Sequence, residues 1–314
     1  MNTVFVLGAG FSKRHGGPLL REMLDLSLPA NRKAVGPLWK RPEFKTVWKV
    51  LKGLPKAERD IEGVFNRVSN ASFYGSKIGN YNARTLIDFL TLYIAQLIEV
   101  RTTQRHEPYF DSVYRQFTEI VLSDEPSAII TFNYDLIGEN LLMNGHGGLH
   151  YGFPATSKFR YNRLRNARKG PVLLKLHGSL NWVICSVCKT IWLNDRSARD
   201  KHGNSCLRPD CIGKLRLLIV PPLWNKEPAA KQVDLLWKTA RQVLGWADAV
   251  EVIGCSFPST DQLAFGLVRE ALSSRSTTTI SVHNGPRYDY AGLESRLGRK
   301  LSKTGDTLEE FVEP

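Results

Sequence analysis

Long apolar runs are missing from this sequence. Nothing in its 314 residues approaches the ~18 uninterrupted apolar positions of a membrane-spanning helix. The apolar run at 4–7 is also too short for the core of a secretory signal. A soluble, cytoplasmic protein with no membrane attachment is therefore expected. Internal repeats and low-complexity tracts are absent too, which argues against a solenoid or an extended linker. Acidic residues are in short supply: 30 Asp and Glu stand against 43 Lys and Arg, a net charge of +13. The shortage is local. Residues 158–216 hold fourteen Lys or Arg and only Asp195, Asp200 and Asp210, so this stretch carries +11 of the total. Such a face suits nucleic acid or an acidic protein surface, and it equally suits a solvated exterior.

What is present is ample for folding. Hydrophobic residues make up 42% of the chain, with fourteen Phe, ten Tyr and seven Trp, enough for a large packed core. The length allows one α/β domain with an inserted module, or two modest domains. Short, nearly continuous apolar runs at 4–7, 127–132, 171–176, 215–220, 249–254 and 278–282 read as buried strands. Helical spacing occurs at 60–70, 83–100, 229–247 and 260–274, and a short last helix at 305–314. Residues 19–120 look mostly helical, punctuated by Pro29, Pro37, Pro42 and Pro55. Buried strands alternating with helices predict a mainly parallel sheet covered on both faces.

Several of these strands end in residues that carry chemistry. Gly8-Ala9-Gly10-Phe11-Ser12 follows the first strand and leads into a helix. Such a turn lets phosphate oxygens approach backbone N–H groups, although a tight turn without a ligand has the same residues. The dinucleotide fingerprint of hydride-transfer enzymes needs a third glycine where Lys13 stands, so a dehydrogenase is disfavoured. Asn133 and Asp135 follow the 127–132 strand, where open α/β sheets place ligands. They could orient a hydroxyl or water and bind a carboxamide, or simply form an Asx turn at a helix start. His177-Gly178 follows the 171–176 strand, and Gly254-Cys255-Ser256 follows 249–254. A lone histidine or turn is more often structural; the set together describes a dinucleotide pocket.

Cys185-x2-Cys188 and Cys206-x4-Cys211 form two short-spaced pairs, the pattern of a closed tetrahedral structural Zn2+ site. Disulfides are not expected in a cytoplasmic chain. Free thiols are the other reading, and His202 is a substitute ligand. Cys255, the fifth cysteine, reads as a small turn residue.

In this order the fragments resemble the sirtuin family, specifically the bacterial sirtuin-like NAD-cleaving branch of phage-defence systems. Sirtuins carry a GAG-x-S turn, a TQNID segment, a His-Gly, a two-pair zinc module, a P-x-x-V-x-FGE segment, a GTS turn and a late Asn. Here the matching positions are Gly8 to Ser12, Thr131 to Asp135, His177-Gly178, the four cysteines, Val220-Pro221-Pro222, Gly254-Cys255-Ser256 and His283-Asn284. There are departures. The PDFR segment is replaced by Lys13 to Pro18. Phe132 and Tyr134 stand for Gln and Ile of TQNID. Pro222-Leu223-Trp224-Asn225 replaces the FGE segment that helps hold acyl-lysine peptides. Leu180-Asn181-Trp182 and the long helical insert look like the defence branch.

The resemblance implies a Rossmann-like NAD-binding domain made of 1–29 with 121–182 and 217–314, a helical insertion at 30–120 and a zinc-binding module at 183–216. It implies an NAD+ glycohydrolase that depletes the cofactor. Asn133, His177 and Asp135 would be catalytic; Gly8, Ala9, Gly10, Phe11, Ser12, Asn133, Asp135, Gly254, Ser256 and Asn284 would bind NAD. A protein deacylase or ADP-ribosyltransferase is the alternative, and an inactive NAD- or ADP-ribose-binding module a further one. Control is expected from homo-oligomerisation or from a partner, such as an ATPase or a short Argonaute with nucleic acid.

Overall fold

The computed structural model describes residues 2–103, 106–123, 127–153, 159–162, 171–221, 233–257 and 261–313. Its framework is a six-stranded, all-parallel sheet in the order β12-β11-β10-β1-β4-β6, where β1 is Thr3–Leu7, β4 Ala128–Thr131, β6 Val172–Lys175, β10 Ala249–Ile253, β11 Thr279–His283 and β12 Lys303–Thr304. Every position of β1 and of β4 is buried. Strands buried on both sides need no polar alternation, which is why their sequences are unbroken apolar runs. The chain builds outward from β1 in both directions: first to β4 and β6, then back to β10, β11 and β12. The topological switch point therefore lies beside β1, where open α/β sheets bind ligands at strand C-terminal ends.

Between β1 and β4 the chain runs through a helical region. It contains α1 (Ala9–Lys13), α2 (Pro29–Val35), α3 (Pro42–Gly53), α4 (Ile61–Phe73), α5 (Ala83–Thr103) and α6 (Ser112–Ser123). A two-residue-strand hairpin, β2 (Lys77–Ile78) with β3 (Tyr81–Asn82), joins α4 to α5; its strands are too short to leave a periodic signal. Helix α7 (Ile137–His146) follows β4, α8 (Asp234–Trp246) precedes β10, and α9 (Gln262–Ser274) precedes β11. Helices α10 (Tyr290–Leu297) and α11 (Leu308–Val312) flank β12.

A second sheet has the order β5-β8-β7-β9, with β5 Phe159–Asn162, β7 Gly178–Cys185, β8 Ile191–Asn194 and β9 Leu215–Ile219. The 215–220 run thus does not enter the parallel sheet. It pairs antiparallel with β7, because the chain turns back through the cysteine module before it reaches β9. The first residues of the 229–247 helix and the first of the 260–274 helix lie outside the described residues. So do Pro222-Leu223-Trp224-Asn225, Lys158, Arg163, Arg165, Arg168 and Lys169, along with the side chain of Arg160.

Two apolar cores result among the described residues. One lies about the parallel sheet and includes Phe11, Phe132, Leu174 and Val252. The other joins the helical region to the second sheet and includes Phe65, Tyr93, Tyr134, Leu180 and Leu217.

Candidate functional site

The loops after β1 and β10 are laced together. Gly8 N–H donates to the Ile253 carbonyl at 3.0 Å and Gly10 N–H to the Gly254 carbonyl at 2.8 Å. Gly254 has φ +64°, and a Cβ there would strike the Phe11 amide, so glycine is required at this crossing. A Cβ on Gly10 would sit 2.7 Å from Gly254 Cα. The need for small residues in the first turn thus comes first from this contact between loops. Phe11 N–H is engaged as well, donating to the Gly8 carbonyl at 3.0 Å. The turn therefore does not offer three unengaged amides to a phosphate, as a simple glycine cradle would.

Ser12 is buried and joins the turn to β4. Its Oγ donates to Asp135 Oδ2 at 2.6 Å and accepts from Asn133 Nδ2 at 2.9 Å. Asn133 Nδ2 also donates to the Gly8 carbonyl at 2.8 Å. A carbonyl can only accept, so the amide orientation is fixed and Oδ1 is left as the acceptor of this side chain. Asp135 Oδ1 accepts from Ile137 N–H at 3.1 Å, at the start of α7. The Asx-type turn is real, and it uses one carboxylate oxygen while Ser12 holds the other.

His177 stands two residues beyond β6 and is 5% exposed. Its ring lies 5.2 Å from Phe132, 6.3 Å from Tyr134 and 6.1 Å from Trp237, centroid to centroid. Tyr134 is fixed by donating its hydroxyl to the Val220 carbonyl at 2.8 Å, and Trp237 by donating Nε1–H to the Leu176 carbonyl at 3.1 Å. Burial, with the charges of Asp261 and Glu62, holds the Tyr134 hydroxyl protonated far above the ordinary tyrosine range. His177 Nε2 lies 3.6 Å from Asp261 Oδ2.

Beneath the strand ends lies a buried polar network. Lys175 is 1% exposed. Its Nζ donates to Glu139 Oε1 and Oε2 at 2.9 and 3.1 Å and also to the Asp135 carbonyl. Glu139 accepts further from the Tyr151 hydroxyl at 2.9 Å and from Ser179 Oγ at 3.3 Å. Neither Lys175 nor Glu139 stands out in the sequence, since a lysine inside an apolar strand and a glutamate on a helix carry no motif. Asp261, Trp237 and Glu62 were likewise invisible in the pattern.

All of the sequence-predicted nucleotide residues line one cavity of about 990 Å³: Gly8, Ala9, Gly10, Phe11, Ser12, Asn133, Asp135, His177, Gly254, Ser256 and Asn284. That volume lies at the upper end of what small-molecule and cofactor sites occupy. Asn284, whose Nδ2 donates to the Cys255 carbonyl at 2.8 Å, and Tyr288, whose hydroxyl donates to the Ser256 carbonyl at 2.8 Å, line the same cavity. Cys255 is a buried part of this turn, as its size suggested. Arg14 also lines the cavity. Its Nε donates to Asp111 at 2.9 Å and an Nη to Glu309 at 2.6 Å, and these partners raise its pKa.

The four cysteines meet on the second sheet. Their Sγ atoms all lie within 4.8 Å of one another, with Cys185 to Cys211 at 3.5 Å and Cys188 to Cys206 at 3.7 Å. A tetrahedron of Zn–S bonds of about 2.3 Å has S–S edges of about 3.8 Å, so the donor set fits a zinc ion. Val187 N–H and Arg208 N–H point at Cys185 and Cys206 sulfurs, each at 3.4 Å, as suits thiolates. Burial pushes the Cys206 thiol up, with the neighbouring sulfurs adding, to about 12. Burial opposes ionisation of Cys188 too, but hydrogen bonding with Thr190 brings it to about 6. Four sulfurs this close cannot all ionise without a cation between them. His202 is not part of the set: its Nδ1 accepts from Leu217 N–H at 3.3 Å.

The basic stretch is partly committed inside the chain. Lys175 pairs with Glu139, Arg199 Nε lies 2.5 Å from Glu99, and Arg216 lies 3.9 Å from Asp88.

Neither a protein-family profile nor a curated protein matches this chain. Among solved structures it is similar to one from a study of the structural basis of sirtuin substrate affinity, at 15% identity and TM-score 0.49, covering 99% of this chain and 91% of that one. It is similar to a Sir2 homologue–NAD complex at 18% identity and TM-score 0.47, with 99% and 86% covered. A Sir2 homologue variant in complex with 2′-O-acetyl ADP-ribose gives 18% identity and TM-score 0.47, with 99% and 90% covered. These likenesses are too distant to bear on activity.

Proposed function

We propose that this protein is a sirtuin-like enzyme that cleaves the nicotinamide–ribose bond of NAD+, with water as the acceptor. The observation that carries this reading is the convergence of the strand-end fragments on one cavity at the switch point of the parallel sheet. NAD would lie with its adenosine half toward Ser256 and Asn284 and its pyrophosphate over the Gly8 to Ser12 turn. The nicotinamide ribose would then face Asn133, Asp135 and His177. Asp135 would take the carboxamide, with Ser12 holding its carboxylate in place. Asn133 Oδ1 would orient a ribose hydroxyl or the attacking water.

In the reaction the C1′–N bond breaks and its electron pair goes to the ring nitrogen, so nicotinamide leaves neutral. The water oxygen bonds to C1′, and the proton it loses passes through His177 to solvent. The products are nicotinamide, ADP-ribose and a proton. A group beside the oxocarbenium-like centre accelerates the step only by favouring the transition state over bound NAD. General-base catalysis of this kind contributes about 10²–10⁴-fold.

The test is purified protein with NAD and no peptide. Nicotinamide release supports the proposal. Release that needs an acyl-lysine peptide makes the protein a deacylase, and binding without turnover makes it a nucleotide-binding module. His177→Ala and Asn133→Ala should each abolish release with the fold intact; normal turnover in both removes the site assignment. Within the same reading the enzyme is a cofactor-depleting effector of bacterial anti-phage defence, since constitutive NAD loss would kill its host. Control would then come from self-assembly or a nucleic-acid-bearing partner. A fully active isolated monomer would refute that control.

A further inference from the structure

Asp261 is the acidic side chain nearest to His177 among the described ion pairs, and no sequence motif contains it. It sits immediately before α9 and divides its carboxylate between two tasks. Oδ1 accepts from Ala264 N–H at 3.3 Å and caps the helix. Oδ2 lies 3.6 Å from His177 Nε2, an ion-pair distance longer than a hydrogen bond. A residue that only caps a helix has no need to enter a binding site. Asp261 is 9% exposed and lines the same cavity as His177. The cap fixes the carboxylate, while Phe132, Tyr134 and Trp237 enclose the imidazole.

We propose that Asp261 is the positioning residue for His177. The carboxylate facing Nε2 favours the tautomer that carries the ring proton on that nitrogen. It also stabilises the imidazolium that forms when the ring takes up a proton. Such stabilisation is worth more in a site walled by aromatic rings than in water. This rests on the proposed NAD cleavage for its kinetic consequence, but not for its geometry.

Asparagine caps helices about as well as aspartate, so Asp261→Asn separates the two tasks. The variant should melt near the wild-type temperature. With NAD as substrate its kcat should fall by about 10²-fold while KM stays within about twofold. Side-chain 15N spectra of His177, assigned by its loss in His177→Gln, should show the Nε2–H tautomer in the wild type and a loss of that preference in Asp261→Asn. A tautomer unchanged by the substitution overturns the proposal whatever the kinetics. So does a kcat within about twofold of wild type. If the wild-type protein releases no nicotinamide, the functional reading falls, and the spectra alone decide the role of Asp261.

Discussion

The Lys175–Glu139 pair offers the sharpest test of how the site is held. Lys175 is 1% exposed and Glu139 7%, so neither charge is solvated by bulk water. Removing one partner of a buried pair costs about 3–5 kcal/mol, because the other charge is left without compensation; replacing both by apolar groups of similar volume is often near neutral. The two truncations should not be equal here. In Lys175→Met the Glu139 carboxylate keeps the Tyr151 and Ser179 hydroxyls. In Glu139→Leu the ammonium keeps, among the described residues, only the Asp135 carbonyl. Glu139→Leu should therefore lie at or above about 4 kcal/mol and Lys175→Met at or below about 3 kcal/mol. The double variant should recover at least about 2 kcal/mol relative to the sum of the singles. Urea unfolding followed by tryptophan fluorescence measures all four corners of the cycle. Singles within about 1 kcal/mol of wild type, or a double variant equal to their sum, would show that the network is not a buried charge pair in solution.

Three further outcomes follow from local geometry. Gly254→Ala places a Cβ at φ +64° against the Phe11 amide. It should cost more than the ~1–2 kcal/mol of a strained left-handed residue and lower NAD affinity, read by thermal melting and calorimetry. Tyr134→Phe orphans the buried Val220 carbonyl and should destabilise by about 1–3 kcal/mol in chemical denaturation. Purified protein should contain about one zinc per chain by atomic absorption, and Cys188→Ser should lose it. Because Cys185, Leu215 and Leu217 share a core with the helical region, metal removal should also lower the unfolding temperature of those helices in circular dichroism. A metal-free protein with unchanged melting would refute the structural role.

The pH response of the Arg14 cluster has a definite sign. Burial works to raise the Glu309 pKa, but backbone hydrogen bonding and the Arg14 guanidinium outweigh it and leave the carboxyl below its usual range. A carboxyl depressed in the folded state adds stability above its unfolded pKa and loses it as pH falls through the folded value. The stability gap between wild type and Glu309→Gln should therefore be flat from pH 6 to 8 and close below about pH 4. The side chain is nearly half exposed, so the gap is small and salt-sensitive. A gap that widens in acid would contradict the ion pair.

The sequence was most legible where one physical requirement dominates. β1, β4, β6, β10 and β11 are buried strands, so apolarity alone marks them within a residue or two. The four cysteines were legible because tetrahedral coordination constrains spacing. The 215–220 run is a strand, as its apolarity predicts, but it lies in the second sheet and not in the parallel one, because an apolar run does not encode its pairing partner. β12 is too short for periodicity and both its residues are exposed. The glycine turn was recognised for a partly incomplete reason: phosphate access and the Gly10–Gly254 crossing ask for the same residue. Lys175, Glu139, Trp237 and Asp261 stayed hidden because their roles depend on distant partners, and only the folded chain brings these together.

One consequence of the packing reaches the chemistry. Phe132 belongs to the core about the parallel sheet, while Tyr134, two residues on, belongs to the core shared by the helical region and the second sheet. Both rings pack against His177. Asn133 and Asp135, at the alternating positions, meet Ser12 and the cavity instead. The imidazole thus sits at the seam between two separately packed bodies of side chains. Close-packed interiors transmit displacement rather than absorb it, so a shift of the helical region relative to the sheet would move the Tyr134 ring and with it His177. Loosening the Tyr134 side of this seam by Leu180→Ala, a residue of the same core whose N–H bonds the Tyr134 carbonyl at 2.9 Å, should lower kcat more than it lowers NAD affinity. Equal losses in both would mean that the seam is only structural support.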